Sequence, residues 1–336
     1  MGALKNTGYA AHLVGRDASS LSLLTGATWR GYAMKVAIMG AGGIGAYTGG
    51  RLAAAGGDVV FIARGAQLDA LRDGGLKIRS PRGDAAIDRV VATSDPREVG
   101  TVDLVIFSVK LWDTAQAATA MLPMIGEQTL VVTFQNGIDS VDILSSVMPR
   151  SQVVPGAYYI SAHVASPGNI EDTGADNRMV IDGMGGDHRI TEFKDLCDRA
   201  VGLVCEMANP EVDFVWQKFI VLTAFSGSTA LIRKPLGAVY GHPVTRDFLH
   251  DLIEETAKIA FAKGARLPPG IVETVFARLT TWAPDAYASM AVDLMHGRRL
   301  ELPWLSGRVH ALGEELGIET PAHSAVYRGL VLHDMG

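Results

Sequence analysis

Gly40-Ala41-Gly42-Gly43-Ile44-Gly45 follows a short apolar run and opens a segment with helical spacing. The three spaced glycines have separate uses. The first permits a tight turn, the second lets backbone amides approach a pyrophosphate, and the third lets a helix pack on a strand. The phosphates then lie at a helix N-terminus, where unpaired N–H groups and the helix dipole favour anions, so the pattern predicts a dinucleotide site. After the next apolar run an acidic residue would hold both ribose hydroxyls of NAD, but Ile62-Ala63-Arg64-Gly65 stands there. A carboxylate would repel a 2′-phosphate, whereas the Arg64 guanidinium can fork onto it and stack on adenine, which points to NADP(H). Lys218 lies within an apolar run from Phe214 to Leu222. An unpaired ammonium there would be costly, so it needs a partner or a purpose. In a hydride transfer to a ketone, an ammonium at this place stabilises the charge growing on the carbonyl oxygen and delivers the proton.

The elements that must position these residues are legible as alternating strands and helices. Lys35 to Met39 reads as a buried parallel strand, and Ile44, Thr48, Leu52 and Ala55 as one face of a helix ended by Gly56-Gly57. A strand at Val59 to Ile62 and a polar helix over 66–73 follow, with further strands at Asp103 to Phe107 and Thr129 to Thr133. This alternation predicts a parallel sheet with right-handed crossovers. From Val153 to Asp182 the chain is β-rich, and the turn Ser166-Pro167-Gly168-Asn169 reads as a hairpin added to that sheet. A helix over 193–201 and a hinge at Ala208-Asn209-Pro210 precede a helical remainder, including 214–231, 244–263 and 307–316. The expected architecture is α/β: a Rossmann-type domain over 34–208 and an all-helical domain over 209–336. Residues 1–33 carry Lys5, Arg16, Arg30 and a single acid, Asp17, before a start-like Met34-Lys35-Val36. They read as an upstream start-site error or cloning-derived leader outside the fold, or as a transit peptide.

A chain of 336 residues, 48% hydrophobic and 20% charged, has the balance of a soluble two-domain globular protein. Its net charge of −6 supplies no basic stripe for nucleic acid. No stretch approaches the roughly 20 apolar residues that cross a bilayer, so no membrane partner is expected. Cys197 and Cys205 suggest neither a disulfide framework nor zinc, and reduced buried thiols are expected. No metal is expected either, since the nine histidines form no HExxH motif. The apolar helices after residue 212 permit a homodimer.

From Met34 almost to its end the chain resembles the ketopantoate reductase (2-dehydropantoate 2-reductase) family. The resemblance rests on the glycine loop with Arg64, on Phe107-Ser108-Val109-Lys110 and Gln135-Asn136-Gly137 after successive strands, on Trp216-Gln217-Lys218, and on Ser289-Met290 with Asp293 and Glu301. It implies a helical domain of the 6-phosphogluconate dehydrogenase C-terminal type. It also implies that Gly40, Gly42, Gly43, Ile44, Gly45, Arg64, Lys110 and Asn136 bind NADP(H), with Lys110 beside the ribose and phosphates and Asn136 also positioning the substrate. Lys218 becomes the catalytic acid, Glu301 its organising partner, and Ser289 the ligand of a substrate carboxylate, while Asp293 braces its helix. The implied activity is cytoplasmic reduction of a small 2-oxo acid, ketopantoate to pantoate in pantothenate biosynthesis. The family carries asparagines four and eight residues after the lysine, on one helical face. Here those positions are Leu222 and Ser226. Ser226 remains a shorter substrate-binding candidate, and Thr223, Ser228 or Thr229 can replace the asparagines only if the helix register shifts. Three other readings stand beside this one: a 2-oxo acid reductase of different substrate, a β-hydroxyacid dehydrogenase, and a non-catalytic NADP-binding sensor.

Overall fold

Alternate residues of the first strand serve two cores: Val36 and Ile38 enter one apolar cluster, Ala37 and Met39 another. Leu104 and Ile106 against Val105 and Phe107 repeat the division, as a sheet buried on both faces requires. The computed structural model describes residues 34–174 and 177–336, so the leader expected over 1–33 lies outside the described residues. The chain runs β1 (Lys35–Met39), α1 (Gly43–Ala54), β2 (Asp58–Ile62), α2 (Gly65–Gly74), β3 (Leu76–Arg79), β4 (Ala85–Ile87), β5 (Val91–Thr93), β6 (Leu104–Phe107), α3 (Thr114–Ala120), β7 (Leu130–Thr133), α4 (Ser140–Ser145) and β8 (Val153–Tyr159). It continues through β9 (Ala162–Ser166), β10 (Asn169–Asp172), β11 (Arg178–Ile181), α5 (His188–Arg199) and β12 (Val204–Met207). The helices α6 (Phe214–Ile232), α7 (Leu236–Gly241), α8 (Pro243–Ala262), α9 (Ile271–Thr280), α10 (Ser289–Met295), α11 (Ser306–Leu316) and α12 (Pro321–Leu330) complete it.

The main sheet has the order β12-β11-β8-β7-β6-β1-β2-β5. Its strands from β5 to β8 are parallel, and their order is that of a Rossmann sheet. The order reverses between β1 and β6, so the loops after these two strands border a crevice at the carboxyl edge, where such sheets bind ligands.

The hairpin expectation needs correction. Its turn joins β9 to β10, which pair with β3 and β4 in a separate sheet of order β4-β3-β10-β9. Only the flanking runs, β8 and β11, enter the main sheet, as antiparallel neighbours. The hairpin is instead drawn onto the glycine loop. A Cβ on Gly43 would lie 2.3 Å from the Ala162 carbonyl oxygen, so glycine alone admits β9 there. Gln67 of α2 completes the attachment, donating to Ala41 O at 3.0 Å and accepting from the Gly168 amide at 3.0 Å.

Helix α6 packs against α7, α8, α9, α10 and α12. The expectation that no stretch nears bilayer length also needs correction: α6, with 19 residues and mean hydropathy 1.2, is long and apolar enough to cross a membrane. Phe219, Ile220, Ala224 and Ala230 of this helix are buried in the helical core, the normal place for a helix apolar all round.

A polar network braces that core. The His323 ring is fully buried, with Nε2 at 3.0 Å from Leu252 O and 2.8 Å from Thr256 Oγ1, and Nδ1 at 3.1 Å from Ser306 Oγ. A carbonyl only accepts, so Nε2 carries the proton and Nδ1 accepts from Ser306. The Glu255 carboxylate accepts the Ala322 and His323 amides at 2.8 and 2.9 Å, capping α12 from a neighbouring helix. Burial pushes the His323 imidazole down from 6.5 to about 4. The unfolded chain therefore takes up this proton at higher pH than the folded one, and stability falls as pH drops from 6.5 toward 4. The loss from this residue should reach about 3 kcal/mol. Urea unfolding between pH 7.5 and 4.5 should show a flatter pH dependence for His323→Gln than for the wild type; identical slopes would dismiss the imidazole as the cause.

Candidate active site

The crevice between β1 and β6 is shaped by glycines with different reasons to be glycine. Gly40 has φ +99°, and a Cβ there would lie 2.8 Å from the Val109 side chain. A Cβ on Gly45 would fall 2.1 Å from Gly40 O and 2.4 Å from Ser108 Oγ, whose hydroxyl donates to Gly40 O at 2.9 Å. These two hold the loop together. At Gly42 an added Cβ would meet nothing within 4 Å, and no side chain caps the start of α1. Packing therefore does not require glycine at 42, and the backbone lies clear for a group arriving from outside, as a pyrophosphate needs. Ile44 is half-buried in the first turn of α1, and Arg64 stands exposed where β2 leads into α2. The residues fit a dinucleotide.

The next two loops and α6 bring charged groups together. The Lys218 ammonium donates to Asn136 Oδ1 at 3.1 Å, and Asn136 Nδ2 donates to Glu301 Oε2 at 3.2 Å. The orientation of the amide is dictated by its neighbours, because an ammonium only donates and a carboxylate only accepts. Glu301 is buried, and the Leu111 amide reaches its other oxygen at 3.4 Å. Lys218 is half-buried; burial pushes its ammonium down to about 8, against the pull of the Glu301 carboxylate in the other direction. Such a group still holds its proton at neutral pH and releases it readily, the condition for a general acid. Glu301 thus reaches Lys218 through Asn136, a relay that the linear order of residues does not reveal.

Around this relay lie residues that the sequence reading passed over. The Trp112 ring has the Arg299 guanidinium 4.7 Å and the Lys110 ammonium 5.5 Å from its centroid, and Trp304 packs on it at 6.4 Å. An aromatic residue two positions after Lys110 and an arginine two before Glu301 were the available signals. Asp293, expected to brace its helix, accepts from Arg298 Nε at 2.8 Å just beyond the end of α10 and faces Lys110 Nζ at 3.7 Å.

The remaining candidates are not gathered into the relay. Ser289 is exposed as the first residue of α10, which packs on α6. No hydrogen bond joins it to Lys218, Asn136 or Glu301 among the described residues. Leu222 is half-buried, whereas Ser226 is fully buried and its hydroxyl has no partner among the described residues. The register shift that would present Thr223, Ser228 or Thr229 does not occur, since α6 is continuous from Phe214 to Ile232. All three are buried and donate back to helix carbonyls, Thr223 to Phe219 O and the other two to Phe225 O.

Comparison with known proteins adds to this geometry. The sequence profile of the family described as "Ketopantoate reductase PanE/ApbA" matches residues 36–185, and that of "Ketopantoate reductase PanE/ApbA C terminal" matches 213–332. A crystal structure of a PanE/ApbA family ketopantoate reductase from Ralstonia eutropha superposes with a TM-score of 0.82 at 32% identity, covering 90% of this chain and 98% of that one. An uncharacterized oxidoreductase, YkpB, of Bacillus subtilis is 27% identical over 90% of this chain and 99% of its own length. A 2-dehydropantoate 2-reductase of Halobacterium salinarum is 28% identical, over 86% and 95%.

The relay makes a direct prediction for Lys218. Labelling by an amine-selective acylating reagent, followed by peptide mass spectrometry, should give Lys218 a half-point near pH 8, below the ordinary lysine value of 10.5. Glu301→Gln removes the carboxylate that favours the ammonium, so the half-point should move lower still; movement upward would contradict the assignment.

Proposed function

The chain belongs to the ketopantoate reductase family, and from that premise we propose that it reduces the ketone of a small 2-oxo acid to the 2-hydroxy acid with NADPH. Members of this family are oxidoreductases of CH–OH groups that work with a nicotinamide dinucleotide. The observation that carries the proposal is the Lys218–Asn136–Glu301 relay at the carboxyl edge of the sheet, beside a glycine loop left open at Gly42.

Gly40, Gly42, Gly43, Ile44 and Gly45 would hold the pyrophosphate through backbone amides, Lys110 would add its charge beside the ribose and phosphates, and Arg64 would fork onto the 2′-phosphate. The reduced nicotinamide, when bound, supplies the hydride for the ketone carbon. Lys218 holds the proton at Nζ, donates a charge-assisted hydrogen bond to the ketone oxygen as negative charge develops, and completes the alcohol by giving up that proton. Asn136 fixes the ammonium and keeps Glu301 one amide away, so the carboxylate favours the charged lysine without taking its proton. Ser289 is the candidate for the substrate carboxylate. Ketopantoate is the first acid to test, because the relative from Halobacterium salinarum bears that activity in its name.

Loss of NADPH absorbance with a panel of 2-oxo acids tests the proposal. A protein that binds NADPH tightly and turns over none of them would be a sensor rather than a reductase. Lys218→Ala should lower kcat by about 10²-fold or more while NADPH affinity stays near that of the wild type. Near-normal kcat in this variant would remove Lys218 from the reaction. Arg64→Ala should weaken NADPH binding much more than NADH binding, since only NADPH offers a 2′-phosphate; fluorescence titration showing an equal loss for both would reject the NADP assignment.

A further inference from the structure

The face of α6 that carries Lys218 continues one turn on with Leu222 and two turns on with Phe225. At about 1.5 Å per residue these lie roughly 6 and 10 Å along the axis from the lysine, the span of a small acid's side group. The packing around Phe225 is aromatic. Phe225 meets Trp282 edge to face, with centroids 5.1 Å apart and planes at 85°. The Arg278 guanidinium lies 6.0 Å from the Trp282 ring and 5.0 Å from that of Tyr159, the last residue of β8. β8 adjoins β7, whose following loop holds Asn136. Along this face Leu222 is half-buried and Phe225 is buried on the half-buried Trp282, from which Arg278 reaches to Tyr159.

The polar side chains of α6 beyond Leu222 are all buried. Ser226 is sealed within the helical core, and Thr223, Ser228 and Thr229 spend their hydroxyls on carbonyls of the same helix. Beyond Lys218, a substrate hydroxyl resting on Leu222 would find no exposed polar side chain of α6.

Resting on the reductase reading above, we propose that the substrate is a 2-oxo acid with a hydrocarbon side group, branched or aromatic, and that Leu222, Phe225 and Trp282 form the pocket for that group. An apolar pocket of this kind disfavours an added hydroxyl by about 10²-fold. The experiment compares kcat/KM, at saturating NADPH, for ketopantoate, for 3,3-dimethyl-2-oxobutanoate, which has the same carbon skeleton with hydrogen in place of the hydroxyl, and for phenylglyoxylate. The deoxy acid should exceed ketopantoate by about 10²-fold, and phenylglyoxylate should exceed it as well. Leu222→Asn should shift the ratio of ketopantoate to deoxy acid toward ketopantoate by about tenfold or more. The wild-type ratio decides the matter even if that variant folds poorly. Preference for ketopantoate in the wild type overturns this inference and leaves the reductase reading standing. Turnover of no acid by NADPH-bound protein overturns both.

Discussion

A buried carboxylate and a half-buried ammonium, one amide apart, set the terms for the rest of the molecule. Either charge alone in such a place would cost several kcal/mol, and their attraction is useful only if the remaining hydrogen-bonding positions are filled. Asn136 fills one on each side, and the Leu111 amide takes another on Glu301. The three groups come from α6, from the loop after β7 and from the segment after α10, so the relay exists only when the sheet and the helices are in register. Other contacts maintain that register: Arg308 donates to Asp139 at 2.8 Å, and Trp112 is packed against Arg299 and Trp304. Removing the amide would do more than delete two hydrogen bonds, because it would leave both charges without their intermediary.

The crevice at the other side of the β6 loop obeys a different constraint, close approach of backbone to backbone. Gly40 and Gly45 let the loop fold onto itself and onto Ser108, and Gly43 lets β9 rest on the first turn of α1. Gln67 then ties the hairpin turn to the loop it covers. Three glycines are thus consumed by internal packing, and Gly42 alone of the four meets no neighbour that a Cβ would touch. The separate small sheet follows from this arrangement: the hairpin pairs with β3 because that strand emerges from α2, which carries Gln67.

The parts of the fold legible in the sequence are those with continuous apolar runs or helical spacing. β1, β2, β6, β7, α1 and α6 each bury most of their length, so local pattern and final environment agree. β3, β4 and β5 have four, three and three residues with exposed or half-exposed positions among them, and nothing local distinguishes such pieces from loop. The sheet to which the hairpin belongs was hidden for another reason, since pairing of Asn169 with Lys77 is a long-range event. At the site, the apolar surroundings of Lys218 announced that it needs a partner, and resemblance pointed to Glu301. That Asn136 stands between them is a fact of three-dimensional arrangement, as is the grouping of Trp112 with Arg299.

In the proposed reaction, acid chemistry and substrate selection are physically separable. The protonation of Lys218 is governed by burial and by Glu301, and its position by Asn136, neither of which belongs to α6. Leu222 and Phe225, one and two turns further along α6, take no part in these hydrogen bonds, so an apolar residue at 222 leaves the relay unaltered. The fold imposes a limit on that freedom at the next turn. Position 226 is buried in the helical core, where a Cβ added at the adjacent Gly227 would lie 3.1 Å from Ser306 Oγ. A longer polar side chain at 226 would have to displace packed neighbours, whereas one at the half-buried 222 would not. Of the two positions four and eight residues after the lysine, only the first can take a longer polar side chain without displacing packed neighbours, and there the chain carries leucine.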